Sequence, residues 1–197
     1  KVDGEYKRFA FTDDGISQML RRYGVPLRFI KYPYPMPDFM GSFLKTKENG
    51  VALTGGVGSG KTTSIVSFIR EWLKERTDMS GLASMWAFIV YPEFIMALQD
   101  CYNHKKDEQT AYEYLDSIAQ YPFLAIDDFG AEKPTEYVRQ ATYYLLNYRE
   151  MRLLPTFITS NFSMDFLNDN IDPRISSRIA GMCEVIRLDG KDRRIKK

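Results

Sequence analysis

After residue 50 the chain carries five short, largely apolar runs, each bounded by polar or glycine-rich residues: Val51–Thr54, Ser84–Val90, Phe123–Ile126, Thr156–Thr159 and Cys183–Ile186. Runs of this length without strict alternation predict strands buried on both faces. Between them, apolar positions recur at helical spacing and predict helices over residues 61–76, 92–103, 108–119, 135–152 and 173–180. Strand alternating with helix predicts an α/β fold in which a central, parallel, five-stranded sheet lies between two helical layers.

The first fifty residues follow another pattern. Asp14–Tyr23 is a short amphipathic stretch, and Tyr32-Pro33-Tyr34-Pro35-Met36-Pro37 is a proline run that forbids helix and favours an extended path. Residues 1–40 therefore read as a lead-in wrapping an edge of the core, and residues 41–197 as the folded domain.

Composition narrows the class. A chain of 197 residues with 44% hydrophobic and 27% charged residues has the makings of one globular domain, not of a disordered segment. Its two cysteines, Cys101 and Cys183, stand far apart with no metal-ligand spacing, which argues against a disulfide scaffold and suits a reducing, cytoplasmic compartment. The longest uninterrupted apolar run, Met85–Tyr91, has seven residues, whereas a membrane helix needs ~20, so no membrane partner is expected.

The net charge of +1 hides a gradient. Residues 171–197 hold eight basic and four acidic residues and so carry +4, while the rest of the chain carries −3. The chain also starts at Lys1, not methionine, and the expectation is that a partner-binding end lies upstream.

One motif carries the strongest chemistry. Gly55-Gly56-Val57-Gly58-Ser59-Gly60-Lys61-Thr62, followed by Thr63, matches G-x-x-x-x-G-K-[ST] at every fixed position and stands between a predicted strand and a predicted helix. Glycines let backbone N–H groups turn inward around phosphates, and a helix N-terminus adds partial positive charge. Lys61 is expected to reach the β- and γ-phosphates and Thr62 to ligate Mg²⁺. A bland turn would gain nothing from a lysine and a hydroxyl at those two positions.

Two further strand ends complete the picture. Phe123–Ile126 runs into Asp127-Asp128, and ligands of open α/β sheets sit at the C-terminal ends of strands. Asp127 is expected to hold Mg²⁺ through its water shell and Asp128 to orient the attacking water. Thr156–Thr159 ends in Ser160-Asn161, which makes Asn161 a candidate for contact with the γ-phosphate or the water.

Arg174 and Arg178 lie four apart in a predicted helix opened by Asp172-Pro173, so they share one face. Such a pair is usually a solvated face, yet phosphoryl transfer calls for cations against the γ-phosphate, and a neighbouring subunit can supply them. Gly190-Lys191-Asp192-Arg193-Arg194 offers further candidates.

Together these residues resemble the AAA+ ATPases, and among them the bacterial and phage replicative-helicase loaders of the DnaC and DnaI type, with the IstB transposition ATPases as siblings. The resemblance runs from about Tyr23-Gly24-Val25-Pro26-Leu27-Arg28 to the end of the chain. It rests on Gly55–Thr62 (Walker A), Ile126–Gly130 (Walker B), Thr159-Ser160-Asn161 (sensor 1), Ser177-Arg178-Ile179 (box VII) and Gly190–Arg194 (sensor 2). Glu132-Lys133-Pro134-Thr135-Glu136-Tyr137 reads like loaders of phage and mobile-element origin.

The resemblance implies a three-layer AAA+ sandwich with a small or absent C-terminal lid, and ATP and Mg²⁺ as cofactors. It makes Arg178 an arginine finger acting in trans, Arg174 its helper and Arg194 the sensor 2 arginine. Arg193 stands where the family often has an aromatic residue, so the choice between 193 and 194 stays open. Asp128 stands where most AAA+ proteins have Glu, which implies slow hydrolysis.

The implied partners are a replicative helicase, single-stranded DNA, and further copies of the chain in an ATP-dependent ring or spiral. Tyr102, Lys105, Lys106, Tyr112 and Tyr114 are candidates for stacking and charge against DNA, equally readable as an ordinary helix surface; His104 reads as a surface residue. The alternatives are a transposition helper of the IstB type and a nucleotide-gated adaptor with negligible hydrolysis. A small-molecule kinase would not need the box VII and sensor 2 matches, and a GTPase would need an N-K-x-D motif that the chain lacks.

Overall fold

The computed structural model describes residues 12–46, 50–75, 85–103, 110–131 and 135–190. Five parallel strands form one sheet in the order β2-β3-β4-β1-β5. They are β1 (Gly50–Thr54), β2 (Trp86–Val90), β3 (Phe123–Asp127), β4 (Thr156–Ser160) and β5 (Cys183–Arg187). The helices are α1 (Asp13–Arg22), α2 (Leu27–Lys31), α3 (Gly41–Thr46), α4 (Lys61–Lys74), α5 (Tyr91–Asn103), α6 (Ala111–Ala119), α7 (Glu136–Met151), α8 (Met164–Asn170) and α9 (Pro173–Met182). The α/β class and parallel five-stranded sheet are as expected from the sequence pattern. No described helix is long and apolar enough to cross a membrane.

The two faces of the sheet bury separate cores. On one face Val51, Leu53, Phe123, Ala125 and Phe157 meet α4 through Ile65, Phe68, Ile69, Trp72 and Leu73. Phe68 packs on Phe157 with ring centroids 4.5 Å apart, and Trp72 stacks on Phe123 at 5.6 Å. On the other face Ala52, Leu124, Ile126 and Ile158 meet α5, α6, α7 and α9. Neighbouring residues of one strand thus feed opposite cores, and this is why the strands read as unbroken apolar runs.

Local chemistry starts the helices. Thr12, Thr135 and Ser163 cap α1, α7 and α8 by accepting from backbone N–H groups, and α6 opens on a reciprocal capping box between Thr110 and Glu113. Asp172 caps α9, with Pro173 at the first helical position.

Residues 12–46 differ from the sequence reading. Besides meeting the edge strand β2, where Tyr23 packs on Trp86 with centroids 4.8 Å apart, they enter the core: Ile16, Leu20, Val25, Met40 and Phe43 are buried in the same cluster as α4. Three short helical pieces there (α2, α3 and a 3₁₀ turn at Asp38–Met40) carry too few residues to show a period, and so does α8, which the pattern also missed.

Arg149 fixes α7 to the sheet. It is fully buried, and its guanidinium donates to the Thr156 hydroxyl (2.7 Å) and to the carbonyls of Ala119 (3.0 Å), Tyr121 (2.7 Å) and Pro155 (2.7 Å). Burial draws its pKa down to about 9, so it remains charged at neutral pH.

Candidate nucleotide site

β1 ends in Thr54, and the chain leaves the sheet through Gly55 at φ +136°. A Cβ there would meet the Leu188 carbonyl oxygen at 2.3 Å, because the segment after β5 runs alongside, with Leu188 N–H donating to the Thr54 carbonyl at 2.7 Å. Only glycine fits this exit. Gly60, at φ +100°, caps α4 in the left-handed region and turns the loop into the helix. Lys61 is buried, and its Nζ donates to the carbonyls of Gly55 and Gly56, both at 2.8 Å, so the ammonium lies within the loop's curve.

Thr62, in the first turn of α4, donates its hydroxyl to Asp127 Oδ1 at 2.8 Å. Thr159, on the neighbouring strand β4, donates to the same oxygen at 2.6 Å and accepts the Asp128 N–H at 3.0 Å. Burial pushes the Asp127 carboxyl above the ordinary carboxylate range, and these two hydroxyl donors oppose that shift. Asp128 follows in the left-handed region at φ +55°. Its turn is fixed because Phe129, itself buried, donates its N–H to the Thr159 carbonyl (2.8 Å) and accepts at its carbonyl from Ser160 Oγ (2.9 Å).

Val57, Gly58, Gly60, Lys61, Thr62, Thr63, Asp128 and Asn161 line one cleft of about 510 Å³, a size that suits a small ligand. Ser59 and Asp127 lie buried behind its wall. The loop, both acids and the amide therefore converge.

The arginines do not. Neither Arg174 nor Arg178 lines this cleft. Arg174 binds both oxygens of Asp172 (3.0 and 2.7 Å), and this pairing holds the Asp172 carboxyl below its ordinary range. Arg178 donates to Glu150 at 2.6 Å and to the Tyr143 hydroxyl at 3.3 Å. Arg193 and Arg194 lie outside the described residues, as do His104, Lys105, Lys106, Glu132, Lys133, Pro134 and the Tyr102 side chain. Tyr114 is half-buried against Phe94, with centroids 5.9 Å apart, so it belongs to the core; Tyr112 is exposed, with its ring edge to Tyr144 at 5.9 Å.

Two contributions escaped the sequence reading. The first is the role of the Thr159 hydroxyl, which positions both acids, since the sequence offered Thr159 only as the start of the Thr159-Ser160-Asn161 run. The second is the lead-in, since Arg28, Phe29, Tyr32 and Tyr34 form part of the cleft wall. Only their place between Gly24-Val25-Pro26 and the end of the proline run Pro33-Tyr34-Pro35-Met36-Pro37 hinted at a strap.

A parallel sheet with this strand order, a phosphate loop leaving β1, paired acids leaving β3 and a polar end on β4 between them is the AAA+ form of the P-loop fold. Within that fold the chain is similar to replicative helicase loaders. It is 34% identical over 173 residues to the replicative helicase loader DnaI of Bacillus subtilis (strain 168), covering 80% of this chain and 51% of DnaI. Among solved structures, DnaI superposes with a TM-score of 0.62 at 29% identity, covering 79% of this chain and 80% of that one. The DnaC helicase loader superposes with a TM-score of 0.64 at 22% identity, covering 82% and 96%. The chain spans about half the length of the curated relatives it matches. No family model matches it.

Proposed function

We propose that the chain binds ATP with Mg²⁺ in this cleft and hydrolyses it slowly, as the ATPase region of a protein that loads a replicative helicase onto single-stranded DNA. The observation that carries the reading is the 2.8 Å bond between Thr62 and Asp127, which joins the start of α4 to the end of β3 beside the phosphate loop. A hydroxyl and a carboxylate are hard oxygen donors that suit Mg²⁺. Among the described residues no group of three or more His, Cys, Asp or Glu could hold a metal, so phosphate oxygens and water complete the shell.

In this reading Lys61 pairs with the β- and γ-phosphates, Thr62 and Asp127 hold the metal, and Asp128 polarises the attacking water with Asn161 beside it. The bound metal neutralises charge on the phosphate oxygens. Arg178, with Arg174 next to it, serves the site of a neighbouring copy, which calls for self-association into a ring or spiral. Arg194 serves the site of its own chain. Likeness to DnaI and DnaC supports the helicase as partner; a transposase is the alternative partner. A second reading, a nucleotide-gated adaptor, is favoured by Asp128, one methylene shorter than Glu and fixed at φ +55°.

The test is ATP turnover with and without single-stranded DNA for the wild type and Lys61→Ala, beside pull-downs with a purified replicative helicase and a cognate transposase. DNA-stimulated turnover lost in Lys61→Ala, with capture of the helicase, is expected. Turnover unchanged in Lys61→Ala overturns the ATPase, and capture of the transposase alone overturns the loader. Bound ATP surviving for hours with DNA present favours the adaptor.

A further inference from the structure

We propose that Arg28 binds the terminal phosphate of the nucleotide from within the same chain and so distinguishes ATP from ADP. The inference rests on the nucleotide reading above. Arg28 lines the cleft together with Lys61, Thr62, Asp128 and Asn161, and of the arginines described it alone does so. Arg174 is engaged by Asp172, the cap of α9, and Arg178 by Glu150 on α7. Arg28 has no carboxylate within ion-pairing distance among the described residues; its Cζ lies 4.4 Å from the Phe29 ring centroid, which leaves N–H donors available.

Its place follows from what it shares the cleft wall with, namely Asp128 just past the end of β3 and Asn161 just past the end of β4. In the nucleotide reading these two face the γ-phosphate, which ADP lacks.

The backbone that carries Arg28 is anchored to the helix that carries Lys61. Arg70, buried on α4, donates to the Ile30 carbonyl at 3.3 Å, and Ser67 donates to the Tyr34 carbonyl at 2.9 Å. The strap is thus held against the helix that follows the phosphate loop, and Arg28 is carried on backbone anchored two and six residues further on. A planar guanidinium on a phosphate makes charge-assisted, often bidentate hydrogen bonds.

Equilibrium binding of a non-hydrolysable ATP analogue and of ADP, both with Mg²⁺, to the whole chain tests this in the wild type, Arg28→Ala, Arg28→Lys and Lys61→Ala. Arg28→Ala is expected to weaken the analogue about tenfold or more while ADP changes less than about twofold, with Arg28→Lys in between. Equal weakening of both nucleotides, or of neither, overturns the proposal, since a purely structural Arg28 moves the two together. Failure of the underlying reading looks different: Lys61→Ala would then bind both nucleotides as the wild type does.

Discussion

Arg178 is tied to Glu150 at 2.6 Å, a bond that joins α9 to α7 within one chain while both side chains stay partly exposed. An arginine that is to serve a neighbour's nucleotide must leave this partner or share it. Glu150 also lies close against Gly181, where a Cβ would come 2.5 Å from its Oε1 and displace the carboxylate. Partly exposed ion pairs are worth under ~1 kcal/mol, so Glu150→Gln should barely change thermal stability. It should lower the protein concentration at which ATP turnover sets in, while Arg178→Ala abolishes the concentration-dependent turnover and leaves nucleotide binding intact. Turnover of Arg178→Ala equal to the wild type at high concentration would remove the role in trans.

Thr62 and Asp127 should separate metal binding from nucleotide binding. Thr62→Ala is expected to raise the Mg²⁺ concentration needed for tight ATP binding about tenfold, with metal-free ADP binding changed less than about twofold. Titration of Mg²⁺ at fixed ATP measures this.

Asp127→Asn should go further and show a trade between stability and function. Burial pushes the Asp127 carboxyl up, so its ionised form weighs against the folded state, while the hydroxyls of Thr62 and Thr159 can still donate to an amide oxygen. The variant should melt at the same temperature as the nucleotide-free wild type or higher, and lose Mg²⁺-dependent turnover. A clearly lower melting temperature would count against this account of the site.

Arg149→Met should be among the most damaging substitutions outside the cleft. It removes the donors to the Ala119 and Tyr121 carbonyls and one of the bonds at the Pro155 carbonyl and the Thr156 hydroxyl, all beside a fully buried side chain at the junction of α7, β3 and β4. A loss of about 3–5 kcal/mol is expected in urea unfolding, with Arg149→Lys intermediate. A cost under ~1 kcal/mol would mean that the network relaxes.

These predictions draw unequally on what the sequence discloses. Strands and long helices are legible because burial on both faces, or on one stripe, forces a period on the residues, and Gly55–Thr63 is legible because phosphate binding demands fixed types at fixed spacing. Arg28 was not legible, since five helical residues before a proline strap have no period, and what gives the side chain a role is the anchoring of distant carbonyls by Ser67 and Arg70. Thr159 was hidden for another reason: a hydroxyl at a strand end is common, and only the parallel pairing of β3 with β4 aims it at Asp127. The pairing of Arg178 with Glu150 joins residues 28 apart across two helices, a separation that no local pattern encodes.

Cys183, the first residue of β5, should show the strongest alkaline sensitivity of any thiol here. It is buried, donates to the Thr156 carbonyl at 3.3 Å, and burial pushes its pKa from 9.0 up to about 12. The folded state therefore holds this proton more tightly than the unfolded chain. The thiol's contribution to stability is full below pH 9.0 and is lost progressively as pH rises from there toward 12. Unfolding curves at increasing pH should fall more steeply for the wild type than for Cys183→Ala, which removes the titrating group and isolates it from tyrosine and lysine ionisation. Alkylation of the native protein at mildly alkaline pH should modify Cys101, which is only partly buried, and spare Cys183 until the chain unfolds. Parallel pH profiles for the wild type and Cys183→Ala, or prompt labelling of Cys183 in the folded protein, would show that the thiol is not held in the core.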